Sequence, residues 1–275
     1  MVPHVDRRAL ERIPPVADSF LSGLDQVPPG RIIGFVVTGS AVLGDWRPGR
    51  SDLDFIALTE TPLAQAEIAA LASFHRGFRR ASPRPELDGL YVTRAQLSAD
   101  PRGLVVPRVR EGVFLARDAY AANPVAWCTA ARNPWLLRGQ LPRGIWNDAS
   151  ILRDWCRSNL EGYWSRWVRR ARTSLKDAVY SLGREAASWG VLGVARIHAT
   201  LSTGEIISKS AAACYALGRF GPAWANVIHE AAAFREGVCG RPRQGTALGP
   251  FRRRALALDF MDMAIADALA LPSAT

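Results

Sequence analysis

The sequence predicts an α+β protein in which a mixed sheet flanked by helices is followed by an all-α helical bundle. Three observations favour this fold class. Residues 32–58 read as a strand, a turn and a second strand. A helical stretch and a third strand follow, ending near Thr93. From Asp148 onwards, the apolar spacing is helical almost to the end. We therefore expect two domains, residues 1–146 and 147–275.

The first strand and the turn after it have a clear local pattern. Residues 32–38 form a short run of apolar, β-branched and aromatic side chains, which is typical of a buried strand. Gly39 and Ser40 come next, where the backbone can turn tightly and a serine can cap a short helix. Such a turn at a helix N-terminus can receive phosphate oxygens.

The second predicted strand, residues 52–58, carries two acids. Its alternation places Asp52 and Asp54 on one face. Two carboxylates beside a Gly-Ser turn suit a triphosphate with bound Mg²⁺, because this hard cation takes oxygen ligands from protein, phosphate and water. The same residues could instead form a surface hairpin with a solvated end. The strand–turn–strand context at this spacing favours the metal–nucleotide site.

A helix and a third strand follow. Thr61 and Pro62 predict the start of a helix that runs to about Arg80. The third strand, residues 86–93, contains Asp88, which could bring a third carboxylate to the same metal if this strand pairs beside the second. Glu86 lies on the same face and is the competing candidate, and a solvated strand-end acid is the alternative. For residues 101–118, the mixed pattern gives only a weak strand prediction.

Composition and charge limit the class of protein. The chain has 275 residues and a net charge of +10. Residues 1–99 hold eleven basic and eleven acidic side chains, so the whole excess lies in the remainder, with 24 basic against 14 acidic. No apolar run reaches the length that spans a membrane, and no secretory signal is recognisable. We expect a cytoplasmic protein whose scattered cysteines are reduced core thiols: Cys128, Cys156, Cys214 and Cys239.

The second part of the chain is rich in tryptophan. Seven of the nine Trp residues fall between Trp127 and Trp189, close to several arginines. This density permits a surface that stacks bases and binds phosphates of nucleic acid. A helical core of Trp with arginines directed outward is the favoured interpretation, because the spacing is irregular.

The segment Thr38-Gly39-Ser40, followed after eleven residues by Asp52-Leu53-Asp54, resembles the signature of the nucleotidyltransferase superfamily, which includes polymerase-β-like enzymes. The resemblance implies a polymerase-β-like nucleotidyltransferase domain that uses ATP as co-substrate with Mg²⁺. It assigns Asp52 and Asp54 to the metal, in a site that can hold two ions. Gly39, Ser40 and Ser51 would hold the triphosphate.

A second resemblance concerns the helical part. Residues 191–198 (VLGVARIH) and 202–209 (STGEIISK) resemble the C-terminal helical domain of the streptomycin/spectinomycin 3″-adenylyltransferase family. In that family the arginine and the lysine contact the nucleotide phosphates, which by resemblance assigns this role to Arg196 and Lys209. Fixed cations there can stabilise charge on the leaving pyrophosphate.

The implied reaction is transfer of AMP from Mg-ATP to a hydroxyl of a small molecule. Family members place a glutamate on the third strand as general base, where this chain has Asp88. Aspartate is one methylene shorter, so either the acceptor lies closer or Asp88 serves chiefly as a metal ligand. A non-catalytic nucleotide sensor is disfavoured, because a sensor needs no general base.

An aminoglycoside-type antibiotic is the first expectation for the acceptor, with antibiotic resistance as the outcome. Family members carry acids before the Val191 helix, and here only Glu185 is available, out of register by about one residue. The basic helical part would repel a polycation at long range, so another hydroxyl metabolite is the alternative. Nucleotidyl transfer to RNA, or RNA binding, is a further alternative that is not favoured. We expect a monomer with no membrane partner.

Overall fold

The computed structural model describes residues 13–27, 29–119, 122–236 and 248–272. The chain divides into two compact units, residues 1–148 and residues 149–275. We call them the sheet unit and the helical unit. The predicted domain boundary, after residue 146, lies two residues before this division.

The sheet unit contains six strands in the order β5-β4-β3-β2-β1-β6. β2 and β3 pair in parallel, and the other neighbouring pairs are antiparallel, so the predicted mixed sheet is confirmed. The elements are α1 (Ile13–Leu24), β1 (Gly34–Val37), α2 (Gly39–Val42), β2 (Leu53–Thr59), α3 (Gln65–Ala81), β3 (Leu87–Thr93), α4 (Arg94–Leu97), β4 (Val106–Arg110), β5 (Val113–Asp118), α5 (Pro124–Arg132) and β6 (Trp135–Gly139).

Alternation along the central strands buries both faces of the sheet. Helices α1 and α3 cover one face, where Phe20 packs among the rings of Phe35 and Phe55 with centroid separations of 5.9 and 5.3 Å. On the other face, Ile56 and Trp127 belong to a second apolar cluster. Each large side chain buried in this way contributes about 1.5–3 kcal/mol. The two cores hold β2 and β3, the acid-bearing strands, in the middle of the sheet.

Two features of the sheet differ from the sequence prediction. The weakly predicted strand at residues 101–118 is a hairpin, β4 and β5, joined by Glu111 and Gly112 with φ of 51° and 72°. Positive φ at both turn residues matches the right-handed twist of the flanking strands. β6 was not predicted, because a five-residue strand that pairs with β1 leaves little periodic signal.

The predicted start of α3 was also wrong. The helix begins at Gln65 rather than at Thr61 and Pro62. The hydroxyl of Thr61 accepts a hydrogen bond from Arg31 at 3.1 Å, so it does not cap the helix. The Glu67 carboxylate instead accepts from the backbone N–H of Ala64 at 2.6 Å. A carboxylate in the first turn also complements the helix dipole.

The helical unit is all-α over its described residues. Its helices are α6 (Ala149–Asn159), α7 (Ser165–Thr173), α8 (Leu175–Ser181), α9 (Arg184–Thr203), α10 (Lys209–Phe220), α11 (Ala225–Glu236) and α12 (Pro250–Ala270), with a π-helical turn at Leu160–Trp164 and a 3₁₀ turn at Pro222–Trp224. The long helix α9 is the most buried and packs against α10, α11 and α12. Its apolar side chains therefore form the centre of this unit.

Two expectations about compartment can be compared with the structure. Among the described helices, none is both long enough and apolar enough to cross a membrane. Cys128 and Cys156 are buried thiols, as predicted, whereas Cys214 is exposed because it lies on the outer face of α10. Cys239 lies outside the described residues.

Candidate active site

The turn between β1 and α2 places Gly39 against the Asp54 carboxylate. The backbone N–H of Thr38 donates to the carbonyl of Asp54 at 2.9 Å, which ties the turn to β2. Gly39 has φ of +62°, and a Cβ atom at this position would overlap the Asp54 carboxylate. Both the backbone conformation and the close approach require glycine. The sequence prediction of a tight turn beside this acid therefore has a specific structural basis.

Asp54 and Asp88 are direct neighbours on adjacent parallel strands. They are Cα partners in the register of β2 and β3, so their side chains emerge on the same face of the sheet. Both are half-buried. Asp52 immediately precedes β2 and is also half-buried, and its carbonyl accepts a hydrogen bond from the Trp46 indole N–H at 3.2 Å.

Both predicted serines, Ser40 and Ser51, precede these acids in the sequence. Ser51 is buried, and its Oγ accepts a hydrogen bond from the backbone N–H of Arg47 at 2.9 Å. The hydroxyl thus fixes the turn that precedes Asp52. Ser40 is half-buried on α2, and its carbonyl accepts from the N–H of Asp45 at 2.8 Å. Their predicted role in triphosphate binding stays a prediction.

Asp88 has a partner that the sequence analysis missed. Arg108, on β4, donates from one guanidinium nitrogen to both carboxylate oxygens of Asp88, at 3.2 and 3.4 Å. The other terminal nitrogen lies 3.6 Å from an oxygen of Asp118. Burial raises the pKa of Asp88, although Arg108 opposes that shift. The mixed apolar and arginine pattern of residues 101–118 gave no signal for this pairing, because it depends on which strand lies beside β3.

The three predicted metal-binding carboxylates stay a prediction. Within residues 13–27, 29–119, 122–236 and 248–272, no three His, Cys, Asp or Glu side chains are grouped so that they could hold a metal ion. Asp88 is paired in register with Asp54 and is bonded to Arg108. The competing candidate Glu86 pairs with Arg84 at 3.4 Å. Asp52, Asp54 and Asp88 remain the predicted metal ligands.

In the helical unit, Arg196 lies on α9, about two turns before the C-terminal cap Gly204. Gly204 ends the helix with φ of 79°, and its N–H donates to the carbonyl of Thr200 at 2.8 Å. The Thr200 hydroxyl reaches the carbonyls of Arg196 (3.2 Å) and Glu205 (2.9 Å). These bonds fix the path of the chain as it leaves the Arg196 helix.

Lys209 is the first residue of α10. Ser208 caps this helix, since its side chain accepts from the N–H of Ala211 at 3.1 Å. Arg196 and Lys209 are both half-buried, and the end of α9 and residues 204–208 lie between them in the sequence. Glu185, the predicted acceptor-binding acid, is exposed in the first turn of α9.

A buried histidine links the helices that carry Arg196 and Lys209. His198, on α9, bonds through Nδ1 to the Tyr215 hydroxyl on α10 and through Nε2 to Asp267 on α12, each at 2.7 Å. Arg219 donates to the same Asp267 oxygen at 2.6 Å. Burial lowers the pKa of His198, although the bond to Asp267 opposes that shift. This network fixes the spacing of three helices.

The tryptophans of the helical unit pack mainly with one another. Trp164 and Trp167 are buried, and each contacts Trp189, at centroid separations of 4.4 and 5.2 Å. Tyr163 extends this cluster to the surface. The favoured interpretation of the Trp-rich segment as helical core is therefore confirmed for these side chains.

The helical unit has a recognisable family pattern. Residues 155–247 match the model of the aminoglycoside adenylyltransferase C-terminal domain. The helical unit is therefore similar to the C-terminal domain of aminoglycoside adenylyltransferases. The matched range, about a third of the chain, contains α9, α10 and the turn between Arg196 and Lys209. The resemblance noted in the sequence is thus confirmed for the helical part.

Known structures extend the comparison to both units. The chain is similar in structure to spectinomycin adenyltransferase AAD(9) from Enterococcus faecialis, solved with ATP and spectinomycin. The two are 14% identical with a TM-score of 0.63, over 90% of this chain and 99% of the other. At this identity the likeness establishes the fold alone, which agrees with the predicted α+β class. A comparison with curated protein sequences finds no match.

Proposed function

We propose that the protein transfers AMP from Mg-ATP to a hydroxyl of an aminoglycoside-type antibiotic. The single observation that carries the transfer chemistry is the position of Asp54, packed against Gly39 and paired in register with Asp88. This arrangement puts a close backbone turn and two acids beside the N-terminal ends of the central strands β2 and β3. The family match of the helical unit supports the class of acceptor.

The residues around the Gly39 turn fit a magnesium ion. Asp52 and Asp54 offer hard oxygen donors, and the missing Cβ of Gly39 lets the Asp54 carboxylate lie directly against the turn. In this proposal the two aspartates hold the ion, and phosphate and water oxygens complete its ligands. Bound Mg²⁺ supplies neutralisation of negative charge on the triphosphate and on the leaving pyrophosphate. The third predicted ligand, Asp88, is paired in register with Asp54.

Phosphate binding is proposed for five residues. Gly39, Ser40 and Ser51 would contact the triphosphate, and by resemblance to the adenylyltransferase family Arg196 and Lys209 would also contact phosphates. Hydrogen bonds of Thr200 and Ser208 fix the local path of the chain at the end of α9 and the start of α10. Cations held in place in this way can stabilise charge on the departing pyrophosphate without reorganisation.

Asp88 is proposed as the general base. Its carboxylate would take the proton of the acceptor hydroxyl as that oxygen bonds to the α-phosphorus of ATP and the bond from this phosphorus to the bridging oxygen of pyrophosphate breaks. Partial burial raises the pKa of Asp88, which makes it a stronger base than an exposed aspartate. An Asp88→Asn variant should therefore lose AMP transfer and keep ATP binding.

The acceptor assignment draws on the helical unit. AAD(9) was solved with spectinomycin, and its fold is shared. Glu185 is exposed on α9 and can contribute negative charge toward a cationic acceptor. Local acids can outweigh an unfavourable net charge at short range.

Incubation with α-labelled ATP and Mg²⁺ in the presence of single acceptors tests the proposal. The panel should contain aminoglycosides, spectinomycin, small hydroxyl metabolites and tRNA. We expect labelled AMP on one of the antibiotics together with release of pyrophosphate. Asp54→Asn should abolish transfer, whereas Asp18→Asn, at an exposed acid on α1, should not. Transfer to tRNA or to a metabolite alone would refute the aminoglycoside acceptor, and no transfer at all would refute the enzymatic proposal.

A further inference from the structure

We infer that Arg108 is a positioning residue for Asp88, and that Asp118 in turn holds Arg108. This inference rests on the proposed function, because it assigns a role to the partner of the proposed general base. Arg108 lies on β4, opposite Leu90 of β3 and therefore two residues along from Asp88. Asp118 lies at the end of β5, the next strand outward. Three adjacent strands thus place a carboxylate, a guanidinium and a second carboxylate in one row.

The geometry of the row favours a fixed carboxylate. One guanidinium nitrogen of Arg108 contacts both oxygens of Asp88, at 3.2 and 3.4 Å, which restrains rotation of the carboxylate plane. The second terminal nitrogen of Arg108 lies 3.6 Å from Asp118. Since both terminal nitrogens face acids, the guanidinium has little freedom to turn away from Asp88.

Burial of the side chains increases along this row from Asp88 through Arg108 to Asp118, as expected if the last two hold Asp88 in place. The Asp88 side chain is 26% exposed, Arg108 is 20% exposed and Asp118 is 8% exposed. The carboxylate that would meet a substrate is therefore the most accessible of the three, and the outer acid is the least accessible. A planar guanidinium with fixed donors suits this bridging position better than the single ammonium of lysine.

The consequence for catalysis is control of orientation. A general base must lie within hydrogen-bonding reach of the acceptor hydroxyl in a restricted geometry. Misplacement of a reacting group by about 1 Å can cost about 100-fold in rate. Arg108 would thus affect the rate of transfer and leave nucleotide binding unchanged, because Asp52 and Asp54 are assigned to the metal.

The test compares Arg108→Gln, Arg108→Lys and Asp118→Asn with the wild-type protein. Arg108→Gln should lower kcat by about 10- to 100-fold, with the Kd for Mg-ATP unchanged. Arg108→Lys should recover part of the loss, and Asp118→Asn should show a smaller loss in the same direction. The double variant Arg108→Gln/Asp118→Asn should be no slower than Arg108→Gln alone, since both changes act through one contact.

Arg110→Gln is the matched control. Arg110 lies on the same strand, is exposed and influences Asp88 only through its charge. It should keep wild-type kcat. If Arg110→Gln loses as much kcat as Arg108→Gln, the effect of Arg108 comes from its charge alone and the inference of a positioning role is overturned. Wild-type kcat in Arg108→Gln would overturn the inference directly. A loss confined to the Kd for Mg-ATP would also overturn it.

A second measurement detects the pair without enzymatic activity. The thermal midpoints of Asp88→Asn, Arg108→Gln and the double variant form a cycle, and the shift of the double variant should be smaller than the sum of the two single shifts. Additive shifts would overturn the inference even if every variant is inactive. A coupled pair in a wild-type protein that transfers no AMP to any acceptor would instead indicate failure of the proposed function.

Discussion

Gly39 is the position where a single methyl group should have the largest local effect on the candidate site. Its φ is +62°, and a Cβ atom would overlap the carboxylate of Asp54. Gly39→Ala should therefore displace this carboxylate and weaken Mg-ATP binding at least 10-fold, because two penalties act together: the left-handed backbone and the steric overlap. Calorimetric titration of Mg-ATP into the variant measures the change in Kd.

Gly30→Ala separates the two penalties. Gly30 has a similar φ of +66°, but no atom lies within 4 Å of a Cβ built there. This control should lose only about 1 kcal/mol of stability from the backbone and should bind Mg-ATP like the wild-type protein. Equal nucleotide affinity in Gly39→Ala would contradict the assignment of the turn to the binding site.

His75 should make stability depend on pH. Burial lowers its pKa to about 3, and its Nε2 bonds to the Tyr91 hydroxyl at 2.7 Å. Arg79 and Glu86 line the small cavity beside it. His75 takes up a proton near pH 6.5 in the unfolded chain but not in the folded chain, so its full contribution to the free energy of unfolding is present only above that pH. It should fall by about 1.4 kcal/mol per pH unit as the pH decreases from 6.5 toward 3.

His75→Gln provides the comparison, since an amide can still bond to Tyr91 but does not titrate. Urea unfolding at pH 7, 6, 5 and 4 should show a shallower loss of stability in the variant. His198, whose pKa is also lowered by burial, contributes in the same direction and is present in both proteins. Parallel pH profiles would show that His75 is accessible to protons in the folded state.

Single residues differ in how far the sequence alone reveals them. Asp52 and Asp54 could be singled out because their spacing from Gly39 is a local pattern. Arg108 could not, because its role depends on the antiparallel pairing of β4 with β3, and one arginine among many in a basic sequence gives no distinguishing signal.

Elements were predictable where the apolar period was strong and local. The predicted strands at residues 32–38, 52–58 and 86–93 correspond to β1, β2 and β3, since short runs of apolar and β-branched residues indicate buried strands. β6 was missed because its stability comes from pairing with β1, a contact between residues about 100 positions apart. The start of α3 was misplaced because Arg31, far away in sequence, donates a hydrogen bond to the Thr61 hydroxyl.

The contact between α11 and α12 contains a buried ion pair that should be costly to disrupt. Arg253 on α12 bonds to Glu230 on α11 at 2.9 Å, and both side chains are 8% exposed. Arg253 also donates to the carbonyls of Leu248 and Leu182, at 3.1 and 2.6 Å. Glu230→Gln should destabilise the protein by about 3–5 kcal/mol, because it leaves a buried arginine without its counter-charge. Chemical unfolding followed by circular dichroism measures this loss.

Asp259→Asn is the matched control, since Asp259 lies on α12 like Arg253 but its ion pair, with Arg172 on α7, is exposed. Asp259 pairs with Arg172 at 2.9 Å, with side chains 54% and 40% exposed. Exposed pairs contribute about 0–1 kcal/mol, and Asp262 remains as a second partner for Arg172. A similar loss in both variants would mean that burial does not determine the strength of these pairs.

At the scale of the whole molecule, positive charge is concentrated in the second part of the chain. The first 99 residues are balanced, whereas the remainder carries the full excess of +10. The proposed metal ligands lie in the balanced part, and the proposed phosphate cations Arg196 and Lys209 lie in the basic part. A triphosphate with bound Mg²⁺ is still anionic, so a positive helical unit favours its capture. The same excess disfavours a polycationic acceptor, so binding of such an acceptor would depend on acidic side chains close to it.

Nucleotide binding should therefore stabilise the protein. If Gly39, Asp54, Arg196 and Lys209 contribute to binding as proposed, Mg-ATP at about 100 times its Kd adds about 2.7 kcal/mol of stability. Hydrogen exchange should slow at the Gly39 turn and at the turn after α9. Arg196→Gln should weaken the protection in both places, because it lowers the affinity of the whole protein. Protection confined to the sheet unit, with Arg196→Gln equal to wild type, would show that the helical unit takes no part in nucleotide binding.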